Sequence, residues 1–466
     1  MLARCKLLTL AGCLKKTHML RCAQSPRVNV LSKYASACRF FARLASDIFL
    51  SSLQSRSFSN LLVLLTLSSA VFAGCTGLSP VKAIREPVEI ADDLDPESLR
   101  AAIRQSLGYL QKLPPDRVVG EQPRLMTAEE VTDSLVALEK LLDQWRCMEC
   151  VAREIDARFE LLPSSADPQF SEVLFTGYYQ PIMQGSLVPT EKFRYPIYGK
   201  PADLITAEKV TLAPKMIVEK TFGRAEGEQF MPYYSRREID EAGSLLGRGL
   251  EIAWIEDPID VFFLHIQGSG LIRLPDGKQL SVGYAGQNGR PYRSIGRLLI
   301  DRGKVAREEM SMRRLRRYLR ENPKELNEIL SHNESYIFFR VLESGPLGSL
   351  EVPVTAGRSL ATDARLFPKG ALALIQTEVP VIDGAGRLAG WRPVTRFVLN
   401  QDTGGAIRGL QRADLYFGTG DEAAGLAGYM NRPGKMFFVV LKQGLASSEP
   451  PTAHLKQPCR LCGTFR

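Results

Sequence analysis

The sequence predicts a mainly β protein with helical additions, and two patterns carry this prediction. From residue 173 onward, short runs of β-branched and aromatic residues alternate with Gly, Pro and Asn, which is typical of strands joined by turns. Between residues 95 and 162 apolar residues recur at helical spacing, and a second helical segment is predicted at residues 294–331. Because many short strands must hide their edges, we expect them to close into a barrel.

The length and the charge pattern bound the class of protein. A chain of 466 residues is long enough for two or three domains. The formal net charge of +9 comes from the first 74 residues, which hold ten Lys or Arg and one acid, whereas the remainder holds 50 basic and 50 acidic residues. The basic pI therefore gives no argument for a nucleic-acid partner.

Residues 1–74 form a leader that runs into the segment NLLVLLTLSSAVFAGC, from Asn60 to Cys75. A basic flank, a short apolar run and small residues before a cysteine predict a secretory signal, since a membrane span needs about 20 apolar residues. The segment resembles a bacterial lipoprotein signal. This implies lipidation of Cys75 and, with Thr76 in place of aspartate, sorting to the outer membrane. The alternatives are an uncleaved anchor helix and an earlier signal ending at Cys13, whose apolar run is too short.

After Cys75, the cysteines come as two pairs, Cys147 with Cys150 and Cys459 with Cys462. Such pairs indicate zinc in a cytosolic protein, but an exported chain lies in an oxidising compartment, which favours disulfides. Bridges within each pair and bridges between the pairs both stay open, as do a metal site and free thiols.

The helical and extended segments follow in order along the chain. After an irregular tether at residues 75–94, two helices are predicted on either side of Pro114–Pro115. Strands are predicted from the runs VLFTGYYQPI, FRYPIYG, DVFFLHIQGSGLIRL, YIFFRVL, ALALIQTEVPVI, TRFVLNQD and MFFVVLK. The helical insertion between them contains the basic segment MSMRRLRRYLRENPKELNEILS. Its arginines could bind anions, although a solvated helix face is the commoner explanation.

Three aspartates stand at strand ends beside glycine-rich turns. Asp402 ends the apolar run FVLNQD before Gly404 and Gly405, Asp414 lies in the short strand RADLYFG, and Asp363 precedes a further strand. Such carboxylates could converge in space, and three roles stay open on the residues alone. They could bind a metal through oxygen ligands, supply glycosidic acid chemistry through a raised pKa, or cap turns.

Seven stretches together resemble one family. They are FTGYYQP (175–181), FRYPIYG (193–199), RREID (236–240), HIQGSG (265–270), YAGQNGRPYRSIG (284–296), SYIFFR (335–340) and DTGGAIRGLQRADLYFGTG (402–420). In this order they are similar to the membrane-bound lytic murein transglycosylase A family, from about residue 174 to 441. The last stretch, with ATD at 361–363, resembles the three-aspartate (3D) domain of cell-wall-active proteins.

The resemblance implies a reaction and a role for each aspartate. Family enzymes cleave the β-1,4 bond between N-acetylmuramic acid (MurNAc) and N-acetylglucosamine (GlcNAc) and release a 1,6-anhydromuramoyl end, in the exo mode. One carboxyl group suffices, because it protonates the leaving oxygen and then takes the proton of the sugar's own 6-hydroxyl. The catalytic aspartate falls on Asp414, Asp402 is assigned to orientation or electrostatic support, and Asp363 to structure. Asp421 lies outside the matched positions and is a poor candidate.

The resemblance also implies substrate-binding residues and excludes a metal. The expected groove residues are Thr176, Tyr178, Gln267, Ser269, Asn288 and Tyr292. A buried core tyrosine is the alternative for Tyr178, and turn stabilisation is the alternative for the residues from Gln267 onward. His265 is expected in the core. No His pair has ligand spacing, so no catalytic metal or other cofactor is expected.

The implied architecture is a double-psi-type β-barrel domain plus an inserted, smaller β-rich domain, with a groove between them. The predicted bounds are a leader at 1–74, a tether at 75–94, the helical N-terminal part of the barrel domain at 95–179, the insert at 180–345, the catalytic barrel part at 346–445 and a tail at 446–466. The expected partners are peptidoglycan strands, the membrane through the lipid anchor, and complexes of cell-wall synthesis or hydrolysis, at the periplasmic face of the outer membrane. The rival functions are a hydrolase that uses two carboxylates and a non-catalytic peptidoglycan-binding lipoprotein.

Overall fold

The structure, a computed structural model, describes residues 88–165, 167–211, 217–343 and 345–445. The signal segment, Cys75 and the pair Cys459 and Cys462 lie outside these residues. Among the residues that are described, no helix combines the length and the apolar character needed to cross a bilayer.

The elements are numbered here in chain order. Those of the N-terminal part are α1 Pro96–Leu110, β1 Val118–Gly120, β2 Met126–Thr127, α2 Ala128–Leu141, α3 Met148–Arg158, β3 Phe159–Pro163 and β4 Val173–Gln180. The middle part contains β5 Ile182–Ser186, β6 Tyr195–Tyr198, β7 Ile205–Thr211, β8 Ile217–Glu226, β9 Gln229–Pro232, α4 Arg236–Asp240, β10 Glu251–Ile255, α5 Pro258–Gln267, β11 Ser269–Arg273, β12 Gln279–Gln287, α6 Ile295–Asp301, α7 Met312–Glu321, α8 Leu326–His332 and β13 Ile337–Leu342. The C-terminal part contains β14 Ser359–Ala361, β15 Leu372–Ile382, β16 Leu388–Asp402, β17 Arg412–Thr419, α9 Asp421–Tyr429 and β18 Asn431–Leu441.

Six strands form a closed barrel. They follow one another in the order β15-β16-β14-β17-β4-β18, and β18 pairs back onto β15, so the ring has no free edge. β3 adds to the outside of the ring by pairing with β18. β4 comes from the N-terminal part and the other five barrel strands from the C-terminal part, so the ring joins two distant segments. The predicted mainly β fold with a barrel is confirmed.

The strands of the middle part form two further sheets. One has the order β13-β12-β11-β5-β10-β6 and the other the order β7-β8-β9. Helix α5 and helices α6, α7 and α8 enclose an apolar cluster of their own, and the six-stranded sheet packs over another. The middle part therefore packs separately from the barrel. The core of the barrel joins α1, α2 and α3 to the barrel strands.

The N-terminal helices begin at capping residues that the sequence supplies. The Asp95 side chain accepts from the Ser98 amide at 2.7 Å, and proline fills the first helical position of α1. The predicted helical region ends earlier than residue 162, because the chain leaves α3 at Arg158 and pairs as β3 with β18. A short hairpin, β1 with β2, also lies between the two predicted helices.

One predicted strand is wrong, because the segment DVFFLHIQ is helix α5 and only the following residues form a strand, β11. The start of the helix is fixed by Asp257, whose side chain accepts from the Ile259 amide at 2.8 Å, and by Pro258 at the first position. Its end is fixed by Gly268 in the left-handed conformation (φ 76°). The helix is apolar on nearly every side because it is buried, so no helical stripe was visible in the sequence.

Three smaller expectations also have an outcome. Cys147 and Cys150 form a disulfide, as expected, and the bridge lies within their pair, which is one of the two pairings left open by the sequence. His265 is 5% exposed and lies in the core, as expected. Three of the five arginines of the basic helix α7, Arg314, Arg316 and Arg320, make ion pairs with acidic side chains, such as Arg316 with Asp260 at 2.5 Å. This fits the structural explanation rather than an anion site.

Candidate active site on the barrel

Three of the predicted site residues of the barrel lie in one row of directly paired positions. The row crosses four neighbouring strands, β16, β14, β17 and β4. Ala361 on β14 pairs with Asp402 on β16 and with Asp414 on β17, and Asp414 pairs in turn with Thr176 on β4. Directly paired residues project on the same face of a sheet. Asp402, Asp414 and Thr176 therefore share one face, and only the small Ala361 stands between the two carboxyl groups.

Asp414 is held by two partners. The Thr176 hydroxyl donates to Asp414 Oδ1, and Arg412 Nε donates to the same oxygen at 3.2 Å. Arg412 Nη2 also donates to Thr176 Oγ1 at 3.1 Å, which closes a triangle of three side chains. The Asp414 side chain is 16% exposed and that of Arg412 is 35% exposed, so the carboxyl group is mostly shielded and still reachable from solvent.

Asp402 has a different environment from Asp414. Its Oδ1 accepts from the amides of Ser349 at 2.9 Å and of Thr403 at 2.8 Å. Burial raises the pKa of Asp402 to about 6, the negative charge of Asp414 acts in the same direction, and the hydrogen bonds act against it. The site thus holds a carboxyl group that titrates near neutral pH beside a second carboxyl group.

Tyr178 lies two residues along β4 from Thr176, on the same face. Its ring stacks against Tyr416 at a centroid distance of 5.1 Å, and the two residues are paired between β4 and β17. The buried hydroxyl faces Asp402, yet within the described residues it has no partner at full hydrogen-bond geometry. Burial, together with the charge of Asp402, holds the pKa of Tyr178 well above its ordinary value. The hydroxyl is therefore a protonated donor.

Asp363 is fully buried and is engaged by the protein. Arg365 donates to it through Nε at 2.9 Å and Nη2 at 2.7 Å, and the Gly409 amide donates at 2.9 Å. Burial acts to raise the pKa of Asp363, but these hydrogen bonds lower it to about 2. Gly409 has a φ of 83°, which favours glycine at the point where the loop after β16 is clamped. These contacts support the structural role assigned to Asp363.

Two insert residues approach the barrel site. Gln267, at the end of α5, accepts from the Tyr179 amide at 3.0 Å and so fixes the insert against β4 next to Tyr178. Tyr292 is 37% exposed, and its pKa is raised first by partial burial. Arg412 lowers that pKa and Asp414 raises it, so the ring lies within electrostatic range of both. Ser269 begins β11 and is half-buried.

Asn288 is not available as a substrate ligand, which corrects its predicted role. Its side chain is fully buried and all its hydrogen-bonding groups are engaged. Nδ2 donates to the carbonyls of Tyr234 at 2.9 Å and Glu334 at 2.8 Å, and Oδ1 accepts from the amides of Arg290 at 3.2 Å and Tyr336 at 2.9 Å. The turn-stabilising alternative is what the contacts support.

Arg412 and Tyr416 were missed by the sequence reasoning. Both lie two residues from Asp414 on β17, and alternate residues of a strand share a face, so the segment RADLYFG contained the signal. Among the described residues, no group of three or more His, Cys, Asp or Glu side chains has the geometry of a metal site.

Comparisons with known proteins match both parts of the chain that contribute residues to this site. Residues 174–340 match the family described as MltA specific insert domain, and residues 358–440 match the 3D domain. Membrane-bound lytic murein transglycosylase A of Escherichia coli is 36% identical over 278 residues, which cover 59% of this chain and 67% of the relative. The protein of the same name from Vibrio cholerae is 34% identical and matches 59% of this chain over 66% of its own length.

Solved structures give the same result for the fold. The crystal structure of membrane-bound lytic murein transglycosylase from Agrobacterium tumefaciens superposes with a TM-score of 0.63 at 32% identity, covering 74% of this chain and 93% of that one. The structure of E. coli MltA with bound chitohexaose gives a TM-score of 0.57 at 27% identity, covering 76% and 92% of the two chains.

Proposed function

The chain belongs to the membrane-bound lytic murein transglycosylase A family, and from this premise we propose that it cleaves the β-1,4 bond between MurNAc and GlcNAc of peptidoglycan with release of a 1,6-anhydromuramoyl end. The observation that carries the proposal is the row of paired residues across the barrel. It places one shielded carboxyl group, Asp414, between a hydroxyl from β4 and a second carboxyl group from β16.

In the first step, Asp414 acts as the acid. Its proton goes to the glycosidic oxygen, the bond from that oxygen to C1 of MurNAc breaks, and GlcNAc leaves with its hydroxyl complete. Positive charge then develops at C1 and the ring oxygen. Thr176 and Arg412 fix the orientation of the Asp414 carboxyl group through the hydrogen bonds to Oδ1.

In the second step, Asp414 acts as the base. The carboxylate takes the proton of the 6-hydroxyl of the same MurNAc, and that oxygen forms the new bond to C1. The acid is regenerated and no water is consumed, so one carboxyl group serves both steps. The ionised form of Asp402 supports the positive charge at C1, and Tyr178, whose hydroxyl faces Asp402, offers its ring face and a donor to the sugar.

The substrate groove follows from the neighbours of Asp414. On the barrel side it is lined by Thr176 and Tyr178, and on the insert side by Tyr292, with Gln267 and Ser269 beside it. The E. coli relative was crystallised with bound chitohexaose. That complex supports our expectation that an amino-sugar chain binds in the proposed groove of this protein. Asn288 is left out of the groove because its side chain is engaged within the insert.

One observation favours a second candidate reaction, hydrolysis. Asp402 has a pKa of about 6 and lies one strand beyond Ala361, so its carboxylate could activate a water against C1 while Asp414 protonates the leaving oxygen. The two reactions differ in the product, which carries an anhydro ring in one case and a reducing end in the other.

The proposal extends to the location and organisation of the chain. Relatives carry the words membrane-bound in their names, and a lipid on Cys75 would hold this chain at the periplasmic face of the outer membrane. We also propose the domain bounds predicted from the sequence, with the insert at 180–345. The exo mode of cleavage is proposed from the resemblance to the family. Complexes with other enzymes of wall synthesis or hydrolysis belong to the same proposal.

The Asp414→Asn variant tests the role of Asp414. We expect its rate of cleavage of purified peptidoglycan to fall by at least about a hundredfold, because the amide cannot exchange the proton. Binding to the same peptidoglycan, measured by co-sedimentation, should be retained. The matched control is Asp421→Asn, in the exposed first turn of α9, which should keep the wild-type rate. Full activity of Asp414→Asn would contradict the proposal.

A further inference from the structure

A charged cavity lies in the insert, apart from the carboxyl groups of the barrel. Its volume is about 480 Å³, larger than that of the other cavity described, between α2 and the end of β18. It is bounded by α4, α6, α8 and the loop between β12 and α6, and its lining residues are Ser235, Arg237, Glu238, Arg290, Arg293, Arg302, Glu328, Ser331, His332 and Glu334. We call it the Arg-Glu cavity. Its walls contain residues of the stretches RREID and GRPYRSIG, of which only Tyr292 belongs to the proposed groove.

The backbone around the Arg-Glu cavity is fixed by two buried polar side chains. Arg236 is 1% exposed and donates to the carbonyls of Asn333 at 3.0 Å and Ser335 at 2.8 Å. Asn288 bridges the carbonyls of Tyr234 and Glu334, as described above. Satisfied buried networks rigidify the segments they join. The segments at 233–238, 288–293 and 333–336 are therefore held in place before any ligand binds.

The same loop connects the Arg-Glu cavity to the barrel site. Arg290 and Arg293 line the cavity, whereas Tyr292 between them lies in electrostatic range of Asp414 and Arg412. Consecutive Cα atoms are about 3.8 Å apart. One edge of the cavity, Arg293, is thus the direct chain neighbour of Tyr292 in the proposed groove.

The charges of the Arg-Glu cavity suit a ligand with both signs of charge. It holds four guanidinium groups and three carboxylates. Arg302 pairs with Glu328 at 2.7 Å and Arg293 with Glu334 at 3.2 Å, and every member of these two pairs is between 31% and 59% exposed. Exposed pairs of this kind contribute little to stability, so a ligand's charged groups can replace one partner at little cost. Each guanidinium also has five donors, which leaves several free for a carboxylate.

We propose that the Arg-Glu cavity binds the stem peptide carried by the MurNAc unit, through the peptide's free carboxylates and amine. This rests on the proposed function, because the peptide reaches the cavity only when its strand lies in the groove. Arg293 and Arg302 take the carboxylates, and Glu328 and Glu334 face the amine. The cavity then makes the enzyme prefer strands that carry peptides over bare glycan.

Binding to two matched substrates tests this. Soluble glycan strands with stem peptides are compared with the same strands after an amidase has removed the peptides, and the dissociation constants are measured on the Asp414→Asn protein so that cleavage does not interfere. We expect peptide-bearing strands to bind about tenfold more tightly, as one or two charge-assisted hydrogen bonds would give. Arg302→Glu and Arg293→Glu, each added to Asp414→Asn, should reduce this ratio to about one.

The matched control is Arg297→Glu in the same background, which makes the same charge change on α6. Arg297 does not line the cavity, its side chain is 63% exposed and it pairs with Asp301, so the tenfold ratio should persist. Equal binding of the two strands, or a preference that survives in Arg302→Glu, would overturn the proposal. Cleavage of bare strands by the wild-type protein tests the proposed function alone. A failure of the proposed function can therefore be told apart from a failure of peptide binding in the cavity.

Discussion

At the scale of the residue, the Asp414 carboxyl group is positioned by its charged neighbours. Arg412 Nε donates to Asp414 Oδ1 at 3.2 Å, and Asp402 is a second carboxyl group on the same face of the sheet. An acid that must first donate and then accept a proton has to keep one orientation through both steps. Asp402, Arg412 and Asp414 are close in the sequence, so their proximity could be predicted. The pKa of Asp402 depends on burial, which the sequence does not show.

The first residue-scale prediction concerns Arg412. Replacement by Gln removes the hydrogen bonds that Arg412 donates to Asp414 Oδ1 and to Thr176 Oγ1. We expect kcat on purified peptidoglycan to fall by about tenfold to a hundredfold, because the carboxyl group loses a positioning partner, whereas binding measured by co-sedimentation should be retained. Arg387→Gln, which removes a 75% exposed arginine paired with Asp383, should keep the wild-type kcat. A wild-type kcat in Arg412→Gln would contradict this role.

The second residue-scale prediction concerns the stability cost of Asp402. Its pKa in the folded state, about 6, lies above the ordinary value of 3.8 for an aspartate, so the folded state binds the proton more tightly than the unfolded state. The resulting stabilisation is complete below pH 3.8 and is lost as the pH rises to 6. Relative to wild type, Asp402→Asn should raise the free energy of unfolding by up to about 3 kcal/mol at pH 7.

Urea unfolding at pH 7 and pH 4 measures the effect of Asp402→Asn. The gain should shrink to less than about 1 kcal/mol at pH 4, because the wild-type group is then protonated in the folded state and nearly half protonated in the unfolded state. The Asn carbonyl can still accept from Ser349 and Thr403, so those hydrogen bonds persist. A gain that does not change between the two pH values would show that the charge of Asp402 is not its cause.

At the scale of the element, closure of the barrel depends on close contact between β15 and β18. Gly434 lies there, and a Cβ at this position would come within 2.3 Å of Gln376 O and 2.8 Å of Thr377 Cβ. β18 pairs on one side with β15 and on the other with β4, so it has little freedom to move away. Backbone contact of this kind requires glycine.

The element-scale prediction compares two Gly→Ala variants. Gly434→Ala should lower the free energy of unfolding by about 1–3 kcal/mol because the added methyl group overpacks the closing seam. Gly428→Ala, in helix α9, meets only Met312 Cβ at 3.8 Å and should be neutral or stabilising by up to about 1 kcal/mol. Chemical denaturation of both variants measures this. A Gly434→Ala protein as stable as wild type would mean that the seam is looser than described.

The elements also show where sequence patterns suffice. The run ALALIQTEVPVI and the run TRFVLNQD are strands as predicted, because β-branched residues alternate between two faces with clear turn signals. Helix α5 was mistaken for a strand because burial on all sides removes the polar face that reveals a helix. Its capping residues, Asp257 with Pro258 and then Gly268, contained the better signal.

At the scale of the whole molecule, the site exists only because distant segments meet. Thr176 on β4 and Asp414 on β17 are 238 residues apart in the chain and are joined by parallel pairing. The role of Asp414 was predicted through the family resemblance, whereas its contacts to Thr176 could not be, since strand order in a closed barrel is a property of the complete fold. Likewise, the burial of Asn288 depends on carbonyl groups from two other segments of the insert.

The most direct test of the central claim is the mass of the products from purified peptidoglycan digested with this protein. Intramolecular attack by the 6-hydroxyl predicts muropeptides that are lighter by one water than hydrolytic products and that cannot be reduced by borohydride. Products that carry the water and a reducing end would contradict the account. They would mean that a second carboxylate, Asp402, activates a water while Asp414 supplies the proton.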